Sequence, residues 1–126
     1  MPNSFKILII EDDTALRTAL SIKMQEAGYL IEAAGDGEEG LALALRSHPD
    51  LILLDLILPK KDGREVLHDL RADTWGRTVP VIILTVLDAD EKMLNEILTY
   101  KPAHYFIKSE WKLEDVVEKV KELLSS

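Results

Sequence analysis

Five short apolar runs recur along the chain, and each is about as long as a β-strand. They read FKILII, YLIEAA, LILLD, PVIILT and HYFIK. The first, third and fourth are continuous rather than alternating, which is typical of parallel strands covered on both faces. The pattern predicts five strands, β1 to β5, within residues 5–10, 29–34, 51–55, 80–85 and 104–108.

The segments between and after these runs have helical spacing. They predict five helices, α1 to α5, each with an apolar stripe that faces the core. Gly28 is the predicted stop of α1. The stripes are Leu16, Leu20, Met24 and Ala27; Leu41, Ala44 and Leu45; Val66, Leu67 and Leu70; Met93, Leu94, Ile97 and Leu98; and Leu113, Val116, Val117, Val120, Leu123 and Leu124.

Strands that alternate with helices predict an α/β domain with a parallel sheet, because right-handed crossovers place helices on both faces. We expect a flavodoxin-like (βα)5 three-layer sandwich with the strand order 2-1-3-4-5. In such sheets, functional sites lie beyond the carboxyl ends of the strands, at the switch point between β1 and β3.

Composition narrows the class of protein. The 126 residues suit one domain, and we expect a single domain over 1–126. The net charge of −8 argues against non-specific nucleic-acid binding, which needs a basic surface. The absence of cysteine excludes disulfides and thiolate metal sites. No run approaches a membrane span and the N-terminus lacks a signal-peptide pattern, so we expect a cytoplasmic protein.

Polar side chains stand where four of the predicted strands end. β1 runs into Glu11 and Asp12, β3 ends at Asp55, β4 at Thr85 and β5 at Lys108; the neighbouring Asp13 is expected to cap α1. Each residue alone has an ordinary structural explanation, but the predicted topology brings all of them to one edge of the sheet.

Carboxylates that meet at one edge repel each other, and a divalent cation relieves the repulsion. Hard oxygen ligands without His or Cys favour Mg²⁺, which typically binds one or two carboxylates, waters and phosphate oxygens. An Asp carboxylate is a nucleophile towards phosphorus. The pattern therefore points to phosphoryl chemistry at Asp55, with Lys108 and Thr85 available to phosphoryl oxygens.

The segments ILIIEDD, PDLILLDLILPKKDG, PVIILT and HYFIK, with their spacing, resemble receiver domains of two-component response regulators, in particular stand-alone receivers of the chemotaxis type. The resemblance implies that Asp55 is the phosphoacceptor and that Asp12 binds Mg²⁺ directly, with Glu11 acting through water. The backbone carbonyl of Ile57 would complete the protein ligands.

The resemblance also implies roles for three residues on the last two strands. Thr85 would be the switch hydroxyl, Lys108 the ion-pairing lysine, and Tyr105 the aromatic switch that turns inward after phosphorylation. A half-exposed sheet aromatic is the structural alternative for Tyr105.

The sequence departs from the family pattern at several positions. Ser109 follows Lys108 where the family usually has a cis proline, and Val86 follows Thr85 where a small residue is usual. Ile57 and Leu87 are apolar where many relatives are polar, and we expect them to hinder attack by water on the phosphoryl group. The segment TYKPAHY lacks the usual glycine and acids.

We thus expect a phosphorylation-dependent switch rather than an enzyme, one that only promotes its own phosphorylation and dephosphorylation. A histidine kinase or phosphotransfer protein would donate the phosphoryl group, and a downstream protein would be contacted through α4-β5-α5, with no output domain in the chain. No direct binding to nucleic acid or membrane is expected. The protein could be a monomer or a phosphorylation-dependent dimer.

Three other functions stay open at this point. The first is a degenerate receiver that binds partners without phosphorylation. The second is an aspartyl-phosphate phosphatase of the haloacid-dehalogenase kind, which would need an acid at position 57, where Ile57 stands. The third is a flavodoxin, which would need a phosphate loop where EDDTA instead repels phosphate.

Overall fold

In the computed structural model, which describes residues 5–85, 90–107 and 110–125, five strands alternate with five helices. None of the described helices combines the length and the apolar run that a transmembrane segment requires. The elements are β1 (Lys6–Ile10), α1 (Thr14–Glu26), β2 (Leu30–Ala34), α2 (Gly37–Ser47), β3 (Leu51–Leu54), α3 (Gly63–Ala72), β4 (Val81–Thr85), α4 (Glu91–Thr99), β5 (His104–Ile107) and α5 (Leu113–Leu124).

The five strands form one parallel sheet in the order β2-β1-β3-β4-β5. β1 and β3 are neighbours although β2 lies between them in sequence. Successive strands are therefore added on one side of β1 first and then on its other side. The predicted flavodoxin-like order is therefore confirmed. The carboxyl ends of β1 and β3 lie side by side, with Ile10 opposite Leu54.

The core lies in two layers, one on each face of the sheet. Alternate residues of the inner strands enter each layer, as the two-residue period of a strand requires. Leu8, Ile10 and Ile52 join side chains of α2, α3 and α4, whereas Ile7 and Ile9 join side chains of α1 and α5. The continuous apolar runs of the sequence thus correspond to strands that are covered on both faces.

Local capping sets the ends of the helices. An aspartate side chain accepts backbone N–H groups at the start of each of the first four helices, which satisfies donors that a helix leaves unpaired. Gly28 follows the end of α1 with φ +101°, a conformation that favours glycine. The predicted stop of α1 is therefore confirmed, as is the cap at Asp13; the capping residues are Asp13, Asp36, Asp62 and Asp90.

Two predicted core positions are wrong. Leu45 is 39% exposed and Leu98 is 51% exposed, although both were assigned to apolar stripes that face the sheet. Each follows a fully buried residue, Ala44 and Ile97 respectively. One residue along a helix is a rotation of about 100°, which carries the next side chain from the centre of the buried stripe to its rim.

Candidate functional site

Asp55 stands immediately beyond the end of β3, one residue later than the last strand residue, Leu54. Its backbone N–H donates to the carbonyl of Ile10 at 3.0 Å, so the β1–β3 ladder reaches this residue. Its side chain is only 4% exposed, and Oδ1 accepts the backbone N–H of Ile57 at 3.1 Å. The observed strand β3 therefore ends one residue before its predicted end. Asp55 still lies at the expected edge of the sheet.

The acidic pair follows β1 at the same edge. Glu11 is 2% exposed, and its backbone N–H donates to the carbonyl of Ala34 at 3.0 Å. Its carboxylate accepts the N–H of Asp13 at 3.1 Å, which turns the side chain back over the β1–α1 loop. Asp12 is exposed. The loop thus offers one buried and one accessible carboxylate.

Glu11, Asp12 and Asp55 form one cluster in which a carboxylate oxygen of each lies within 4.8 Å of those of the other two. Ligands on opposite sides of an octahedral Mg²⁺ are about 4.2 Å apart. The cluster can therefore hold Mg²⁺ through two carboxylates, with the third reached through a water. Three hard oxygen donors without a His or Cys also suit this ion rather than a softer metal.

The carboxylates of the α3–α4 cleft provide a contrast. This cleft of about 540 Å³ is lined by Asp62, Glu65, Asp69 and Glu96 among others. Asp69 pairs with Lys61 at 2.8 Å, a hydrogen bond that lowers the pKa of Asp69. Among the described residues, only the cluster at the sheet edge brings three candidate metal ligands together.

Gly63 holds the loop after Asp55 close to the strand, a role that sequence reasoning missed. Its N–H donates to the carbonyl of Leu56 at 2.9 Å. A Cβ at this position would lie 2.2 Å from the carbonyl oxygen of Asp55, so any larger residue would push the backbone of Asp55 away. The close approach depends on the path of the folded loop and leaves no pattern in the sequence.

Thr85 and Tyr105 lie on neighbouring strands and on the same face of the sheet. Thr85 is fully buried at the end of β4 and pairs with Ile107, while Tyr105 pairs with Ile83. Tyr105 is partly buried against the core layer on the α3–α4 face. The switch hydroxyl and the aromatic residue are therefore on one side of the sheet, although their roles stay predictions.

The remaining predictions for the site fall into two groups. Lys108, Ser109, Val86 and Leu87 lie outside the described residues. Ile57 lies within them, and its side chain is 50% exposed at the mouth of the site. Its N–H faces Asp55, and its carbonyl as a metal ligand stays a prediction.

The family described as "Response regulator receiver domain" matches residues 7–121 of this sequence. The chain belongs to this family. The resemblance drawn from the four sequence segments is thereby confirmed, and so is membership of two-component signalling proteins. Receiver domains are phosphoacceptor signalling domains rather than enzymes in the ordinary sense, and histidine kinases or phosphotransfer proteins are their partners.

Several curated relatives of this receiver domain are described as transcriptional regulators. The DNA-binding dual master transcriptional regulator RpaA of Synechocystis is 49% identical over 82 residues, which are 65% of this chain and 34% of that protein. The probable transcriptional regulatory protein TcrX of Mycobacterium tuberculosis is 36% identical over 118 residues, 94% of this chain and 49% of that protein. The receiver domain thus spans a third to a half of the length of these relatives.

Solved structures of similar fold are receiver domains as well. A CheY-like receiver domain protein from Methanospirillum hungatei matches with a TM-score of 0.89 at 28% identity, over 98% of this chain and 95% of that one. The receiver domain of a Pseudomonas aeruginosa sensor histidine kinase matches with a TM-score of 0.85 at 27% identity, over 98% and 100%. The latter structure has a magnesium ion coordinated in its active site cleft.

Proposed function

We propose that this receiver domain is a phosphorylation-dependent switch in which Asp55 accepts a phosphoryl group. The donor is a phosphorylated histidine of a kinase or phosphotransfer protein. One observation carries the proposal: in a chain of the receiver family, the buried carboxylate of Asp55 shares a cluster with Glu11 and Asp12, all within 4.8 Å of one another.

In the proposed transfer, a carboxylate oxygen of Asp55 attacks phosphorus and the bond between phosphorus and the donor's imidazole nitrogen breaks. That nitrogen keeps the electron pair, and because the other ring nitrogen of the phosphorylated donor carries a proton, the donor leaves as a neutral histidine. The buried position of Asp55 after a rigid strand holds the nucleophile in place, which is the main contribution a protein makes to phosphoryl transfer.

Asp12, Asp55 and the carbonyl of Ile57 would hold Mg²⁺, with Glu11 bound through a water. When bound, Mg²⁺ neutralises the carboxylates and the charge on the phosphoryl oxygens. Lys108 and Thr85 are proposed to meet other phosphoryl oxygens. These assignments are supported by the donor set at the sheet edge and by the family to which the chain belongs.

The signal would leave the site through β4 and β5. Thr85 is proposed to move towards the phosphoryl group, and Tyr105, on the same face of the neighbouring strand, to turn inward into the space that is freed. The α4-β5-α5 face would then bind a downstream partner. We propose that this partner is a downstream protein or, in a phosphorylation-dependent dimer, a second copy of the chain.

The proposal is tested by incubating the protein with Mg²⁺ and acetyl phosphate and measuring the intact mass. We expect a phosphorylated form that is lost in Asp55→Asn and lost when EDTA removes the metal. Asp50→Asn is the matched control, since Asp50 is an exposed aspartate just before the other end of β3. A wild type that is not modified by acetyl phosphate and does not bind beryllofluoride would contradict the proposal. That result would favour a degenerate receiver.

A further inference from the structure

Arg17 of α1 directs its guanidinium at the backbone of the acidic pair. Its Nη1 donates to the carbonyl oxygen of Glu11 at 2.7 Å and lies 3.4 Å from the carbonyl oxygen of Asp12. The side chain is half-buried. In the part of the chain that the structure describes, it forms no ion pair with a carboxylate, although three carboxylates cluster nearby.

These contacts fix the peptide planes that carry the acidic side chains. The backbone N–H of Glu11 is already bonded to the carbonyl of Ala34, and the carboxylate of Glu11 accepts the N–H of Asp13. Arg17 adds a charged donor on the carbonyl side, where a hydrogen bond is stronger than one between neutral groups. The peptide planes on both sides of Glu11 are thereby fixed, and the longer contact of Arg17 holds the carbonyl of Asp12.

Gly35, just after β2, leaves the space that the guanidinium occupies. A Cβ at this position would lie 3.2 Å from Nη1 and 3.7 Å from Cζ of Arg17, so the guanidinium would have to shift by a few tenths of an ångström to make room for it. The N–H of Gly35 donates to Glu39 of α2 at 3.3 Å, which keeps the loop in place. Arg17 is therefore held between the β1–α1 and β2–α2 loops.

We propose that Arg17 is a positioning residue for the metal site: it orients Glu11 and Asp12 for Mg²⁺ and does not itself touch the metal. The proposal rests on the proposed function, because it assumes that the carboxylate cluster binds Mg²⁺. Groups that orient metal ligands from outside typically change metal affinity by about 10–100-fold when they are removed.

The direction of the change in Mg²⁺ affinity distinguishes a positioning role of Arg17 from an effect of its positive charge alone. A guanidinium near the cluster repels a dication, so the loss of its charge alone would strengthen Mg²⁺ binding. Loss of the two contacts to the backbone would weaken binding, because the carboxylates lose their fixed directions. A weaker Mg²⁺ affinity in Arg17→Ala can therefore be attributed to geometry.

The experiment is a Mg²⁺ titration followed by NMR on the amides of Asp13 and Ile57. These two N–H groups donate directly to the carboxylates of Glu11 and Asp55, so they report on the site without any turnover. We expect Arg17→Ala to bind Mg²⁺ about 10–100-fold more weakly than the wild type, and Arg17→Lys to restore part of the loss. Arg46→Ala removes an exposed positive charge at the far end of α2 and should leave the affinity unchanged.

Gly35→Ala gives a second variant that keeps Arg17 and the fold. The added methyl group shifts the guanidinium by a few tenths of an ångström, so we expect a Mg²⁺ affinity weaker than that of the wild type but stronger than that of Arg17→Ala. Unchanged or tighter binding in Arg17→Ala, or a larger loss of affinity in Gly35→Ala than in Arg17→Ala, with a wild type that binds Mg²⁺, would overturn the role of Arg17 alone. A wild type that does not respond to Mg²⁺ would overturn the proposed function as well.

Discussion

At the scale of single residues, Asp55 combines a charge with burial at the end of an apolar strand. A buried carboxylate loses its hydration, and neighbouring carboxylates add repulsion. The N–H of Ile57 compensates part of this, and the edge position leaves room for a cation beside Glu11 and Asp12. A cation bound at this edge would therefore offset the unfavourable burial of the Asp55 charge.

Ile57 is the residue at the site for which we predict an effect on the lifetime of the phosphoryl group. Its side chain is 50% exposed two residues after Asp55, where it can hinder the approach of water. Ile57→Asn replaces the apolar group with one that can hydrogen-bond a water. We expect the phosphoprotein to lose its phosphoryl group faster, measured as the decay rate after the phosphodonor is removed.

Ile22→Asn is the matched control for this decay rate. Ile22 is also 50% exposed, but it stands on α1, two turns beyond the start of that helix. The same substitution there should leave the decay rate as in the wild type. An unchanged rate in Ile57→Asn would contradict the role of Ile57.

The sequence alone predicted that Glu11, Asp12 and Asp55 come together, because parallel strands end at one edge and carboxylates after apolar runs are conspicuous. It did not indicate Arg17 or Gly63. The contacts of Arg17 depend on the rotamer of a long side chain, and the close approach of Gly63 depends on the path of a loop. Neither leaves a periodic signal in the chain.

At the scale of elements, apolar periodicity predicted each helix but overestimated the width of its buried stripe at Leu45 and Leu98. Burial depends on how a helix lies against the sheet and its neighbours, and this is a tertiary property that a stripe in the sequence does not contain. The strands were predicted to within a residue, and the continuous apolar runs of β1, β3 and β4 coincide with buried strands.

Arg71 connects three elements, and its removal should destabilise the fold. Its guanidinium donates to the carbonyls of Tyr100 (2.7 Å), Gly76 (2.7 Å), Val79 (2.8 Å) and Lys101 (3.2 Å), so it links α3 to the α3–β4 and α4–β5 loops. Arg71→Ala removes all four hydrogen bonds. We expect the free energy of unfolding, measured in urea, to fall by about 2–4 kcal/mol.

Arg77→Ala is the control for Arg71. Arg77 is an exposed arginine in the same α3–β4 loop, so the loss of its side chain should change the free energy of unfolding by less than about 0.5 kcal/mol. Equal effects of the two substitutions would contradict the linking role of Arg71.

At the scale of the whole molecule, the sheet order and the two-layer core followed from a few rules. Continuous apolar runs indicated parallel strands, and alternating helices with right-handed crossovers left few possible topologies. The same rules place the carboxyl ends of β1 and β3 together, which is why the fold predicts the location of the site. The fold does not predict which partner would bind the proposed α4-β5-α5 output face.

The stability of the whole domain should depend on the protonation of His104 on β5. Burial lowers the pKa of His104 below its usual 6.5; repulsion from Lys119 adds to this, and Glu122 opposes it. The folded state then takes up this proton at a lower pH than the unfolded state. The contribution is fully present above pH 6.5 and is lost as the pH falls through the lowered value.

We expect the wild type to lose more stability in urea between about pH 7.5 and about pH 5.5 than His104→Gln, whose side chain does not titrate. NMR titration of the His104 ring should give a pKa below 6.5. A ring pKa above this value, or an equal loss of stability in the two proteins, would argue against this source of pH dependence.

The central claim is that Asp55 carries the phosphoryl group, and one measurement tests it most directly. Borohydride reduces an aspartyl phosphate to homoserine, so the phosphorylated protein is treated with borohydride and its peptides are sequenced by mass spectrometry. We predict homoserine at position 55 and aspartate retained at Asp12 and Asp13. Homoserine at another aspartate, or none in a protein that has been phosphorylated, would contradict the account.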